Sequence, residues 1–133
     1  MPDRYGIDTS ILVRLATGDP PEGFERCAKA LGRLAETPGV RVVASNQVVG
    51  ETYVALQHHY GATKDESRDA LASVLASGYV EPEGGEAVLR ALATRSGCGL
   101  LDRLIAESYG RGGAITLTLD RKMAALPGAR LLR

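Results

Sequence analysis

The sequence predicts an α/β fold in which short, mostly parallel strands alternate with helices. Three observations predict it. Glycine and proline breaks at Gly18 to Pro21, Pro38-Gly39, Gly61, Pro82 to Gly85, Gly97 to Gly99, Gly112-Gly113 and Pro127-Gly128 divide the chain into one-element segments. Some segments are short and rich in β-branched or alternating apolar residues, and the longer ones carry apolar residues three and four apart. Strands separated by helices are joined by parallel crossovers, which gives a three-layer α/β/α sandwich around a central sheet of four to five short strands.

Taken in order, Arg4 to Asp8 is the first strand, and a short apolar helix through Ile11, Leu12 and Leu15 follows. A second helix covers Pro21 to Ala35. Val40 to Ala44 is β-branched, as a buried strand requires. Ser45 or Asn46 can cap the next helix, which places Val49, Tyr53, Leu56 and Tyr60 on one stripe. Thr63 followed by Glu66 is a capping box opening a helix that ends before Gly78. Tyr79 to Glu81 is a short strand candidate. Helices over Glu86 to Thr94 and Leu100 to Tyr109 come next. Ala114 to Leu119 alternates Ile115, Leu117 and Leu119 with Thr116 and Thr118, the period of a strand. A short helix near Lys122 to Leu126 and a closing strand from Ala129 to Leu132 complete the chain.

The chain of 133 residues, 44% apolar and 24% charged, is read as one globular domain over residues 1–133. Sixteen basic and sixteen acidic residues cancel, so overall charge favours no nucleic-acid partner. Locally, six basic residues (Arg103, Arg111, Arg121, Lys122, Arg130, Arg133) face two acidic ones after Asp102, a basic surface or simply a solvated face. Cys27 and Cys98 stand alone in helical sequence and are read as reduced core residues. Met1-Pro2-Asp3-Arg4 lacks the apolar stretch of a leader and no segment is long enough to span a membrane, so the expected compartment is the cytoplasm.

Ligands of an open parallel sheet sit beyond the carboxyl ends of its strands. Asp8 closes the first strand and Asp120 closes the Ala114–Leu119 strand. Each has two readings, a helix N-cap or a site carboxylate. Asp102 opens a late helix, where it complements the helix dipole or serves a site. Glu51 sits mid-helix in the apolar stretch Val48 to Val54, as a surface glutamate or a carboxylate with a partner. Carboxylates gathered without a cation repel by about 4 kcal/mol per pair at 4 Å and an effective dielectric near 20. Magnesium or manganese removes that repulsion and activates water for phosphodiester hydrolysis.

These residues resemble a family. Asp8-Thr9-Ser10 after a short strand, with Leu12 to Pro20 behind it, is similar to the opening of a PIN domain of VapC toxin type. Glu51 stands where that family has its helical glutamate. Asp102-Arg103-Leu104-Ile105-Ala106 matches its Asp-x-Leu-Ile-Ala segment, and Thr118-Leu119-Asp120-Arg121-Lys122 its Thr-x-Asp-x-Lys motif. Ser10 replaces the usual Asn, Leu119 the usual Phe, and Arg103 an often small residue. The resemblance implies a PIN-like fold and a Mg2+- or Mn2+-dependent endoribonuclease leaving a 5′-phosphate and a 3′-hydroxyl. It implies that Asp8, Asp102 and Asp120 hold the ion, with Glu51 a ligand or the group orienting water. Thr9 and Thr118 support the acids, or have purely structural hydroxyls. It further implies an RNA substrate, a small antitoxin of VapB type, a homodimer and no membrane partner. Two other readings compete. A receiver domain would need paired acids after the first strand and a nucleotide-binding fold a G-x-x-x-x-G-K-[ST] loop, and neither occurs. The alternative is an inactive PIN-like binding module or a DNA-associated regulator acting with its partner.

Overall fold

The computed structural model describes residues 3–133; residues 1–2, which open the stretch read as free of a leader, lie outside it. β1 (Arg4–Ile7) and β2 (Arg41–Ala44) run parallel, from Arg4 opposite Arg41 to Ile7 opposite Ala44. β3 (Glu81–Pro82) lies parallel to β2 on its other side, beside Val43 and Ala44. Proline is tolerated there because β3 is an edge. β4 (Thr116–Thr118) and β5 (Ala129–Leu131) form a second parallel ladder. Strands are present and parallel in all five expected regions, the third at Glu81–Pro82 rather than Tyr79 to Glu81, and they pair as ladders of three and two rather than as one sheet.

Between them lie α1 (Thr9–Thr17), α2 (Pro21–Glu36), α3 (Asn46–Tyr60), α4 (Lys64–Leu75), α5 (Glu86–Ala93), α6 (Leu100–Arg111) and α7 (Arg121–Ala124). The strands and flanking helices make the α/β/α arrangement expected from the sequence. Local chemistry sets the boundaries. β1 stops at Ile7 because Asp8 turns to cap α1, accepting from the Ile11 N–H at 3.3 Å. Ser45, not Asn46, caps α3, accepting from Val48 N–H at 3.2 Å. The Thr63–Glu66 capping box forms in both directions. α1 and α3 end on Gly18 and Gly61, with φ of 69° and 68°, where a side chain would be strained. Val40 is left out of β2 because its N–H turns back to Thr37 O, and Ala114 is left out of β4 because its N–H bonds Tyr109 O.

The apolar core joins Leu12 and Leu15 of α1, Val49, Tyr53 and Leu56 of α3, Leu71 of α4, Val88 and Leu92 of α5, and Leu100 and Leu104 of α6 around β1 and β2. Each fully buried Leu or Val contributes about 1.5–3 kcal/mol. Tyr60, expected on the same stripe, is 46% exposed at the helix end. The main core cluster ends along the chain at Leu104, and Met123 of α7 is buried apart from it. Beyond Leu104, β4 turns Thr116 inward and Ile115 and Leu117 outward. The alternation identifies the strand correctly, but its apolar side is the uncovered one.

Candidate active site

The carboxyl ends of β1, β2 and β3 share one edge, and Asp8, Asn46 and Glu83 lie just beyond it. Asp8 is exposed. Its Oδ1 accepts both the Ser10 hydroxyl at 2.6 Å and the Ile11 N–H at 3.3 Å. These two bonds, the Ser10 hydroxyl first, hold the Asp8 carboxyl below its ordinary range. The next residue, Thr9, donates its hydroxyl to Glu51 Oε1 at 2.6 Å, and Gln47 donates its amide to Glu51 Oε2 at 3.2 Å. Glu51 is held low in turn, by Thr9 first and Gln47 second. Neighbouring positions of α1 thus carry one acid and grip another, and both are charged at neutral pH.

The packing of α6 on α3 positions Asp102. A Cβ added to Gly50 would lie 3.0 Å from Leu101 Cδ2, so the missing side chain lets the first turn of α6 approach beside Glu51. Asp102 is half-buried in that turn. Lower on the same interface, Asn46 donates its amide to Leu104 O, Glu107 Oε1 and Ser108 Oγ, at 2.9, 2.6 and 2.9 Å. Burial works to raise the Glu107 carboxyl, but Arg111 and Asn46 outweigh it and hold it low. Between the two helices runs an apolar groove of about 700 Å³, walled by Gln47, Gly50, Glu51, Val54, Leu101 and Ile105.

Asp120 sits elsewhere, on the β4–β5 ladder. Its Oδ1 accepts the N–H groups of Lys122 and Met123 at 2.7 and 3.2 Å, capping α7. Thr118 accepts the Asp120 N–H at 3.0 Å, so this hydroxyl shapes the turn, whereas Thr9 bonds a site acid. The structure bonds Thr9, the neighbour of Asp8, to Glu51 and packs Leu101, the neighbour of Asp102, over Gly50, the neighbour of Glu51. It does not bring Asp120 to them. Among the described residues, no three Asp, Glu, His or Cys side chains converge to hold a metal ion. The donor chemistry still suits a hard divalent cation. Asp8 and Asp120 each spend one oxygen on capping, and Oδ2 of both accepts no hydrogen bond among the described residues.

The family described as PIN domain matches residues 5–129. The chain belongs to the PIN domain family. PIN domains are typically nucleases that use divalent metal ions, and many are toxins of toxin–antitoxin pairs. No curated protein matches the chain. No helix among the described residues is long and apolar enough to cross a membrane. Gln47, which bonds Glu51, was passed over in the sequence, although its i, i+4 spacing to Glu51 was a signal; Ser10, named there only as a motif position, is the hydroxyl that bonds Asp8.

Proposed function

We propose that this PIN domain, a single unit over the whole chain, is a VapC-type toxin, a Mg2+- or Mn2+-dependent endoribonuclease that leaves a 5′-phosphate and a 3′-hydroxyl. The observation that carries the reading is the Thr9 hydroxyl bond to Glu51 beside Asp8, two ionised carboxylates held in one place at the carboxyl edge of a parallel ladder. Asp8, Asp102 and Asp120 would hold the ion, and Glu51 would bind it or orient water. When bound, the ion supplies a lowered water pKa and neutralises charge on the phosphate. The chain's own residues do the rest. Ser10 and Ile11 fix the Asp8 carboxylate through one oxygen and leave the other for the ion. Thr9 and Gln47 hold Glu51 ionised, able to accept a proton from water. Arg121 and Lys122, exposed beside Asp120, are suited to phosphate contacts. The cognate partner of this reading is a small VapB-type antitoxin in the cytoplasm.

The test is cleavage of RNA with magnesium or manganese by the parent and by Asp8→Asn. Asparagine keeps the cap, so the melting temperature should hold while cleavage is lost. Cleavage by Asp8→Asn at the parental rate would refute the assignment. A second reading, an inactive binding module, is favoured by the absence, among the described residues, of three converging acids. Titration calorimetry with manganese separates the two, since a binding module releases no heat.

A further inference from the structure

Residues 94–99 join α5 to α6 and so carry the chain to Asp102, yet they have little backbone support of their own. Among the described residues, no backbone–backbone hydrogen bond involves residues 95–98. Arginine side chains hold the connector instead. Arg68 Nη1 donates to the Thr94 carbonyl at 2.9 Å, and Arg95 forks to Asp65 and Asp69 of α4 at 2.6 Å each. Nearest to α6, Arg103 folds back over the residues that precede its own helix. Its Nε donates to Cys98 O at 3.2 Å and its Nη2 to Ser96 O at 2.6 Å. Gly97 makes room for this. It has φ of 82°, and a Cβ there would lie 3.1 Å from Arg103 Nη2.

The start of α6 needs such an anchor. Its N-cap is Gly99, which has no side chain to accept the first free N–H groups. Helix ends without partners fray. Asp102 is the acid most exposed to that weakness. The carboxylates of Asp8, Glu51 and Asp120 are each fixed by hydrogen bonds from neighbouring groups. Asp102 accepts none among the described residues, so the backbone of its turn alone places it. Of the arginines beside the connector, Arg95 makes exposed ion pairs, which contribute little. Arg103 makes charge-assisted bonds to carbonyls, one of them on the buried Cys98. Two of its three guanidinium nitrogens are thereby bound within its own chain and withdrawn from the basic surface that the sequence suggests.

We propose that Arg103 is the positioning residue for Asp102: its grip on the Ser96 and Cys98 carbonyls fixes where α6 begins, and RNA binding does not use it. Two carbonyls held at once call for the planar fork of arginine, which lysine lacks. The part that concerns the ion rests on the proposed ribonuclease activity; the anchoring of α6 does not.

Arg103→Met and Arg103→Lys are compared with Gly97→Ala, which keeps the arginine but crowds its Nη2. The first measurement needs no activity. By NMR, the amide hydrogens of Arg103 and Leu104 should exchange about tenfold faster in Arg103→Met than in the parent, while those of Leu56 and Leu71 keep their rates. Unchanged exchange at Arg103 and Leu104 would overturn the anchoring. Calorimetric titration with manganese should show affinity lowered about tenfold in all three variants. RNA cleavage should lose kcat at unchanged KM. A phosphate contact gives the opposite pattern. Arg103→Met would then raise KM and reduce the salt slope by about one, and Arg103→Lys would behave as the parent. That pattern would overturn the proposal. If the parent neither binds manganese nor cuts RNA, the ribonuclease reading fails, and the exchange rates alone decide the anchoring.

Discussion

Replacing Arg68 by methionine should loosen the segment that leads to Asp102. Arg68 is 5% exposed, and its guanidinium lies 6.0 Å from the Tyr53 ring. Its Nη1 donates to three carbonyls at the end of α5, Ala91, Leu92 and Thr94, at 2.7, 3.1 and 2.9 Å. No carboxylate pairs with it among the described residues, so the cation is held by the negative end of a helix. Hydrogen bonds from a charged donor contribute about 1.5–3 kcal/mol each, and a partly buried cation at a helix C-terminus up to about 2 more. Desolvating the guanidinium costs several kcal/mol in the other direction. Methionine removes both sides of that balance but leaves buried carbonyls without a donor, at about 1–3 kcal/mol apiece. The expected net loss is about 2–4 kcal/mol, roughly 10 °C in melting temperature for a domain of this size. Urea unfolding followed by circular dichroism measures it. A loss under about 0.5 kcal/mol would show that water satisfies these carbonyls and that the helix-end argument is wrong.

Three further outcomes follow from the site and its frame. Gly84→Ala should cost about 1–3 kcal/mol in the same unfolding assay, because its Cβ would meet the Glu107 carboxylate and Val88 Cγ2, and Glu107 is held by Asn46 and Arg111. Glu107 carries a lowered pKa in the fold, so its contribution is complete above its ordinary value of 4.5 and disappears as pH falls through the lower folded value. Glu107→Gln should therefore flatten that part of the acid limb in a stability-against-pH series. Thr9→Val should reduce kcat about tenfold with little change in melting, as removal of a group that orients a site acid does, and Thr9→Ser should restore it.

What could be read in advance was local. The Thr63–Glu66 box, the Ser45 cap and the glycine stops are patterns of three or four residues whose partners are their own neighbours. Arg68 and Asn46 gave no such notice. Their partners are 23 to 26 and 58 to 62 residues away, and a sequence does not show which arginine will find a helix end. β4 is the instructive middle case. Period two marks Ile115, Leu117 and Leu119 as one face, but which face is covered depends on what packs there. In this chain that face stays more than half exposed at Ile115 and Leu117.

Asp8 and Asp120 offered a choice between helix cap and site acid; both are caps, and each cap leaves one oxygen free of hydrogen bonds among the described residues. A carboxylate has two oxygens with about four lone-pair sites between them. In both residues the cap consumes Oδ1 alone, through Ile11 for Asp8 and through Lys122 and Met123 for Asp120. The cap fixes the carboxylate in place and leaves the second oxygen without a hydrogen bond among the described residues. Capping is therefore the means by which a strand end presents a preorganised acid, which is why the same position in two separate ladders carries one. The ladders differ in company. Asp8 is followed by Thr9, whose hydroxyl bonds Glu51, whereas Asp120 caps α7 and is followed by the basic residues Arg121 and Lys122.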